Sequence, residues 1–477
     1  MERLPEELHL SDSYQFSVTV ENGENRFVGE LQLSPSGCSL VIRGDLSEGR
    51  SANFGWEDID QITCDGFDGT FHLYGLKFSG GGNRWLQRHP KSVVHFENRY
   101  RVSHVIFSRA NIYSNPTFVG FDFHSSSVAQ WVGYTRMQDE IVSKYHGGTL
   151  FPYSGDSFTE FSQPIEGLGS IAVRYCPSTR YSVSDFSMSL RFAPVLSLAL
   201  DVAMSGPKII EIVNEIDTLF SFLFGASLDL NKVTLIASDG RMLPISLYFS
   251  RTRDKSGEKR YLFFPLGINL KTDQMGLPSL PTALFSIYFC LPRDERLRFS
   301  KYIRYRRLEN PEERFLGFFR LLEKLCSQKE SFLPGEKLGL LLERVKPLLV
   351  KYFDDEKNVG RVIERMPDWN NSKLNTEACV IKFLKTLPSG LRKRWIYDAS
   401  DIQGICRLRN DLTHANAVEP DPDDIEKKAK FIEALLVTRL LIAIGVSVES
   451  AAAIAPRLPG HALAEKPVEV RITTGGR

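Results

Sequence analysis

Cysteine is scarce in this sequence, and its cysteines form neither a metal-ligand pattern nor a disulfide framework. Seven occur among 477 residues, which is an odd number, and no two of them form a CxxC pair. Zinc ribbons need closely spaced cysteine pairs, and small secreted domains that depend on disulfides need a much denser framework. The pattern therefore predicts reduced thiols in a cytosolic protein and no zinc ribbon.

The sequence also lacks a long apolar run and an excess of charge of one sign. The apolar stretch Ala434–Ile444 is too short to span a bilayer and contains Arg439. Residues 1–7 are acidic and have no apolar core of the kind found in signal peptides. Lysine and arginine (59 together) balance aspartate and glutamate (58 together), which excludes a polycationic nucleic-acid coat but not a local basic groove. We expect a cytoplasmic protein with no membrane partner.

Several enzyme motifs are missing. The sequence has no GxxxxGK[ST] phosphate loop, no HExxH pair, no GxSxG nucleophile elbow and no EF-hand loop. The histidines of the first part of the chain show no spacing typical of metal ligands. The sequence therefore predicts neither a cofactor nor a metal site.

The region 1–297 is predicted to be rich in β-structure. Residues 14–20 and 27–33 alternate apolar and polar side chains, as half-buried strands do. Many further short runs of this kind follow, with turn residues between them, and a few helical segments interrupt them. Such spacing is typical of a sandwich or an open barrel. The pattern does not decide between one domain and two, at about 1–150 and 151–297.

The pattern becomes helical over 298–457. Asn310–Glu313 is a helix start, with an N-cap residue, a proline and acidic first-turn residues, and apolar residues then recur at helical spacing over Phe315–Leu325. Further helical segments follow with few strand signals, which predicts an all-α bundle. Residues 458–477 are predicted to be a weakly ordered tail. The expected fold class is therefore α+β, with the β-rich region first and the bundle second.

One segment of the helical region concentrates chemically useful side chains. Within Cys406–His414 lie Arg407, Arg409, Asn410, a carboxylate and an imidazole. The apolar residues of this segment recur at helical spacing, which predicts a helix with one face in the core. On that helix Arg407, Asn410 and His414 share a face, whereas Arg409 points about 140° away from His414. Either a loosened last turn or a second copy of the motif would bring Arg409 and His414 together.

These residue types suit cleavage of RNA without a metal ion. Histidine exchanges protons near neutral pH, so it can accept the proton of a ribose 2′-OH or donate one to the leaving 5′-oxygen. The planar guanidinium of arginine can hold a phosphate and stabilise the charge that develops on it. The alternative is that Arg409–Asp411 is an exposed helix end and that His414 is a C-terminal cap.

A basic run precedes the motif and is followed by Trp395 and Tyr397. Its residues are Arg392, Lys393 and Arg394. Basic side chains bind the phosphate backbone and aromatic rings stack on bases, so this run and Arg407 are candidates for RNA binding. The alternative is a solvated basic turn with Trp395 buried.

The segment Arg409–His414 resembles the R-x4-6-H motif of HEPN domains, including the polar residue directly after the arginine. The upstream segment 313–323 resembles the first helix of ApeA-type HEPN proteins, which are bacterial anti-phage proteins with a β-rich domain before the HEPN domain. The resemblance extends over nearly the whole chain. It implies a metal-independent ribonuclease, a homodimer or higher homo-oligomer, and catalytic roles for Arg409 and His414 with Asn410 as support. It also implies that the region 1–297 senses a phage-derived trigger or restrains the effector.

Two functions from different classes are expected from this sequence. The first is an anti-phage endoribonuclease that arrests growth by cutting host or phage RNA. The second is a non-catalytic HEPN module that binds RNA, nucleotide or a protein partner while the β-rich region does the recognition. The presence of both Arg409 and His414 favours the first, because a binding module needs no such pair. A third alternative makes the β-rich region a carbohydrate- or peptide-binding domain.

Overall fold

The chain, described here by a computed structural model, divides into two compact units, residues 1–299 and 300–477. The described residues are 6–22, 25–47, 56–67, 69–88, 91–109, 115–147, 158–182, 187–240, 244–251, 262–268, 277–373, 375–414 and 421–467. Within them the first unit is rich in strands with a few helices, and the second consists of helices and one short ribbon. The predicted α+β fold class is therefore confirmed.

Antiparallel pairing joins most strands of the first unit into one sheet. The strands are β1 (Tyr14–Asn22), β2 (Asn25–Ser34), β3 (Gly37–Ser47), β4 (Ile59–Gly66), β5 (Gly69–Arg88), β6 (Lys91–Val102), β7 (His104–Ser108), β8 (Thr117–Ser125), β9 (Phe158–Ile165), β10 (Gly169–Tyr175), β11 (Ser178–Ser182), β12 (Ser187–Arg191), β13 (Pro194–Ser205), β14 (Leu230–Ala237) and β15 (Ile245–Phe249). The sheet has the order β4-β1-β2-β3-β6-β5-β7-β15-β14-β8-β13-β10-β9, and β11 pairs with β12. Strands from both sides of residue 150 are neighbours in it, as β8 and β13 are.

Six of these strands close into a barrel. They are β4, β1, β2, β3, β6 and β5, and β5 pairs back to β4. The long strand β5 serves several neighbours along its length: its first part, up to Leu76, pairs with β4 and β7, and its second part, from Lys77, pairs with β6. The ladder with β6 contains a register shift between Phe78 and Gly80. Side chains such as Phe16, Val18 and Val20 point inward and are buried, as the alternation along β1 predicts. The barrel is thus closed, whereas the sequence predicts a sandwich or an open barrel.

Helices accompany the sheet of the first unit. They are α1 (Ser126–Val132), α2 (Arg136–His146), α3 (Gly206–Leu223) and α4 (Ala283–Cys290), and α5 (Arg293–Arg306) follows in the chain. Helix α3 is mostly buried and packs on β8 and β13. The Trp131 indole N–H of α1 donates to the Phe264 carbonyl at 2.6 Å, so a buried polar group is satisfied.

The second unit is a helical bundle. Its helices are α6 (Pro311–Cys326), α7 (Gly335–Phe353), α8 (Glu356–Asn370), α9 (Thr376–Thr386), α10 (Ser389–Arg394), α11 (Ile402–Thr413), α12 (Pro422–Ala443) and α13 (Val448–Ile454). Helices α6 and α12 pack along each other and supply a large share of the buried core. The helix start predicted at Asn310 is confirmed, because its side-chain oxygen accepts the Glu312 N–H at 2.8 Å. In the described residues, no helix is long and apolar enough to cross a membrane.

Helices α7 and α8 form a hairpin between α6 and α9 in the chain. A two-stranded ribbon, β16 (Lys329–Ser331) and β17 (Asn371–Lys373), joins its two ends. The sequence predicts the two helices but not the ribbon, because three-residue strands have no periodicity.

Part of the predicted tail is ordered in the structure. Leu458, His461 and Ala464 are buried. His461 and Ala464 belong to a short 3₁₀ segment, His461–Ala464, that contacts α12. Proline and glycine end regular helices in this stretch, but they do not prevent its side chains from packing. The remainder of the tail, 468–477, lies outside the described residues.

Candidate active site

Helix α11 carries the motif. Ile402, Ile405 and Leu408 are buried on its inner face, so the helix is fixed against the core as its periodicity predicts. Its last turn stays regular, because the His414 backbone N–H donates to the Asn410 carbonyl at 3.0 Å and His414 is the C-cap residue. The loosened last turn that would bring Arg409 to His414 is therefore not present. Residues 415–420, where the sequence signals the helix end, lie outside the described residues.

Three contacts hold the Arg409 side chain. Its Nη2 donates to the Glu323 Oε2 at 2.5 Å, and its Nη1 donates to the Asn410 Oδ1 at 2.8 Å. Its guanidinium carbon also lies 5.7 Å from the centre of the Phe319 ring. Arg409 is 26% exposed and Glu323 is 22% exposed, so the ion pair lies at the edge of the core. The guanidinium is thus fixed against α6.

Glu323 joins three helices of the bundle. Its Oε2 accepts from Arg409 on α11, and its Oε1 accepts from the Thr376 hydroxyl at 2.7 Å. Thr376 is the first residue of α9, and Glu323 lies in the last turn of α6. Sequence reasoning missed both residues. The sequence does contain one signal for Glu323: it follows Phe319 by four residues, which places its carboxylate at the border of the apolar face of α6.

His414 and Arg407 are exposed. Among the described residues, no side chain forms a hydrogen bond with the His414 imidazole, so the imidazole is accessible to a ligand. Asn410 is also exposed, and its side-chain oxygen accepts from Arg409. The structure thus places Arg409 and His414 on one helix end but does not bring their side chains together within one chain.

Cys406 lies one turn before Asn410 on the same helix and is half-buried. Burial, together with the nearby Glu377 carboxylate, raises the pKa of its thiol to about 11. The thiol is therefore protonated at neutral pH and is not a nucleophile there.

The basic run before the motif is only partly free to bind RNA. Arg394 forms an ion pair with Glu465 at 2.7 Å, and the Arg392 Nε donates to the Leu387 carbonyl at 3.0 Å. Lys393 is exposed.

The aromatic residues beside this run make contacts within the bundle. Trp395 is buried, and its indole N–H donates to the His461 Nε2 at 3.1 Å. The Tyr397 hydroxyl donates to the Asp424 Oδ1 at 3.2 Å, and its ring contacts Phe431. The proposed stacking role is therefore wrong for Trp395, because its apolar ring contributes more to the core than it would on the surface.

The described residues contain no cluster of histidine, cysteine or carboxylate side chains that could hold a metal ion.

Comparison with known families now gives the chain its identity. A family model described as ApeA N-terminal domain 1 matches residues 14–268, which is more than half of the chain. A second model, described as Apea-like HEPN, matches residues 316–450 and includes both Arg409 and His414. No curated protein and no solved structure shows significant similarity to the chain. The two matches confirm the resemblance seen in the sequence, and the chain belongs to the family of ApeA-type HEPN proteins.

Proposed function

We propose that this protein is an anti-phage effector that cleaves RNA without a metal ion, with Arg409 and His414 as its catalytic residues. The observation that carries the proposal is the fixed guanidinium of Arg409 near a helix end whose exposed imidazole has no partner among the described side chains. A cytoplasmic location and an N-terminal region, about 1–297, that senses a phage-derived trigger belong to the same proposal. Arg407 and the basic run 392–394 extend the RNA-binding surface.

Arg409 binds the scissile phosphate. Arginine has five N–H donors, and two of the Arg409 donors are used by Glu323 and Asn410. The remaining donors can face a phosphate in the fork geometry that suits its oxygens. Because the side chain is already held, little side-chain freedom is lost when the substrate binds. Its charge then stabilises the negative charge that builds on the non-bridging oxygens.

His414 transfers the proton. Its imidazole accepts the proton of the 2′-OH as the 2′-oxygen attacks the adjacent phosphorus, and the bond from phosphorus to the 5′-oxygen breaks. The leaving 5′-oxygen takes a proton from a protonated imidazole. The products are a 2′,3′-cyclic phosphate and a free 5′-OH.

A second copy of the chain completes this site. Within one chain the Arg409 guanidinium points to α6, and the last turn of α11 does not bring it to His414. A twofold contact places two copies of the same surface around one groove, so that one subunit supplies the base and the other the acid. We therefore propose a homodimer or higher homo-oligomer.

One observation favours the alternative of a non-catalytic module. The Glu323 carboxylate offsets the charge of Arg409, which weakens the attraction of this arginine for phosphate. In that case the domain binds RNA, nucleotide or a protein and makes no use of proton transfer by His414.

The test is cleavage of total RNA by the purified full chain in EDTA, with His414→Ala beside it. His146→Ala is the matched control, because His146 is also an exposed histidine at a helix C-terminus. We expect His414→Ala to lose about 10²–10⁴-fold in rate and His146→Ala to keep the wild-type rate. A substrate with 2′-deoxyribose at the cut site should resist. Inhibition by EDTA, or equal cleavage of the deoxy substrate, overturns the mechanism.

A further inference from the structure

The hairpin of α7 and α8 exposes most of its apolar surface. Helix α7 has one buried residue among its nineteen, Leu342, although about half of its residues are apolar. Leu341, Val345, Leu348 and Tyr352 follow one another at helical spacing and form a single stripe along α7. Leu348 is 66% exposed and Tyr352 is 82% exposed. A helix that faced only solvent would carry polar residues at these positions.

The exposed apolar surface continues from α7 to α8. A groove of about 460 Å³ lies between the two helices. Its apolar lining consists of Leu349, Phe353, Val359, Val362 and Met366. Two further aromatic residues, Phe332 and Trp369, lie at the base of the hairpin and are more than half exposed.

The area of this surface matches one side of a stable interface. Aromatic side chains present roughly 150–250 Å² each, so the four exposed aromatic residues of the hairpin contribute about 500 Å². The exposed leucines add to this area, and a standard interface buries about 800 Å² on each partner. The four aromatic residues are Phe332, Tyr352, Phe353 and Trp369.

The charges on the hairpin identify the kind of partner. Residues 335–370 carry seven basic and seven acidic side chains, so their net charge is zero. RNA and anionic membranes both select surfaces with an excess of positive charge. A surface with balanced, mixed charges around an apolar stripe is complementary to another copy of itself.

We propose that the hairpin of α7 and α8 is the self-association surface of this protein, and that its partner is the same hairpin of a second copy. Two hairpins then pack about a twofold axis as a four-helix bundle, with Leu348 near the axis because it lies near the middle of the stripe. The apolar stripe and the groove are buried in this contact.

The hairpin is rooted beside the candidate active site. Strand β16 begins shortly after Glu323 in the chain, and β17 ends shortly before Thr376, the residue that holds the Glu323 carboxylate. Pairing of hairpins therefore orders the segments that hold the partner of Arg409. This last step rests on the proposed function, whereas the association surface does not.

The test is the mass of the full chain in solution, measured by sedimentation over a wide range of concentration. Leu348→Glu and Tyr352→Glu replace exposed side chains, so each variant keeps the fold, which circular dichroism checks. Val28→Glu is the control, because Val28 is 72% exposed on β2. We expect the wild type and Val28→Glu to form dimers, and the two hairpin variants to associate on the order of 100-fold more weakly, because an unpaired carboxylate is buried. A mixture of Leu348→Glu and Leu348→Lys should recover the dimer.

Three results overturn the proposal. The first is a wild-type chain that stays monomeric at every concentration. The second is a dimer that persists in both hairpin variants. The third is a pair of variants that keep the dimer but lose RNA binding, since the hairpin then contacts RNA. Because mass is read without any cleavage assay, a protein that fails to cleave RNA leaves this test intact.

Discussion

Replacement of Glu323 separates two roles that its carboxylate can have. If Glu323 positions Arg409, then Glu323→Ala releases the guanidinium and lowers the rate of RNA cleavage. Glu323→Gln keeps an oxygen for Arg409 and an amide for Thr376, so it preserves the position and removes only the charge. The two variants together distinguish orientation of Arg409 from neutralisation of its charge.

The size of each effect follows from the geometry. The ion pair has a 2.5 Å contact, and both side chains are about three-quarters buried. At an effective dielectric constant of about 20, unit charges 4 Å apart attract by about 4 kcal/mol. Desolvation and solvent screening offset most of this attraction. We therefore expect Glu323→Ala to lower the free energy of unfolding by about 1–2 kcal/mol. A misplaced catalytic group typically costs about 10²-fold in rate, so the loss of activity should exceed the loss of stability.

The assay is single-turnover cleavage of one RNA, with thermal unfolding measured on the same samples. Glu313→Gln is the control, because Glu313 is an exposed glutamate on the same helix. Glu323→Gln should keep the rate within about tenfold of the wild type, and Glu323→Ala should lose about 10²-fold. Equal rates for Glu323→Ala and the wild type refute the positioning role. A Glu323→Gln rate above that of the wild type shows that the carboxylate restrains Arg409.

Four further predictions concern stability, its dependence on pH, and RNA binding. His414→Ala should change the free energy of unfolding by less than about 0.5 kcal/mol, because the side chain is exposed. Arg409→Ala should lower it by about 1–2 kcal/mol, because Glu323 loses its partner; equal melting temperatures for the two variants contradict this. Lys393→Glu should weaken RNA binding and reduce the slope of log K against log salt by about 1. Arg394→Glu should have a smaller effect, because Arg394 is paired with Glu465. A larger effect for Arg394→Glu than for Lys393→Glu would argue against the exposed lysine as the RNA contact. Burial lowers the pKa of His461 below its ordinary value, so the folded protein favours the neutral imidazole. The stability that depends on the neutral form is therefore lost as the pH falls below the unfolded pKa of about 6.5. His461→Gln should therefore flatten the loss of melting temperature between pH 7 and pH 5, and an unchanged pH profile excludes His461 as the cause.

The features that depend on nearby residues were predictable from the sequence. Asn310 and the residues after it contain a complete helix start, and the apolar spacing of Ile402, Ile405 and Leu408 shows which face of α11 is buried. The motif at Arg409–His414 is equally local. These signals need no knowledge of the rest of the fold, which explains why the sequence alone predicts the bundle and indicates the motif.

The features that depend on distant pairings were not predictable. The contact of Glu323 with Arg409 joins residues 86 positions apart, and no periodicity encodes it. Trp395 follows three basic residues and ends a short helix, so its neighbours in sequence suggest a surface, but Phe431 and His461 bury it. Closure of the barrel likewise depends on the change of partners along β5, which only its pairing with β4, β6 and β7 shows.

The six-stranded barrel is closed by ladders of very different length. Nine residue pairs join β1 to β2, but three pairs, over Val18–Val20 and Cys64–Gly66, join β1 to β4. Each backbone hydrogen bond contributes only about 0.5–1.5 kcal/mol net, so this seam opens at a small fraction of the free energy of global unfolding. Opening there turns a ring with no free edge into a curved sheet with two unpaired edges, one on β1 and one on β4. The amide hydrogens of Val18–Val20 that face β4 should then exchange with solvent earlier than those of the β1–β2 ladder.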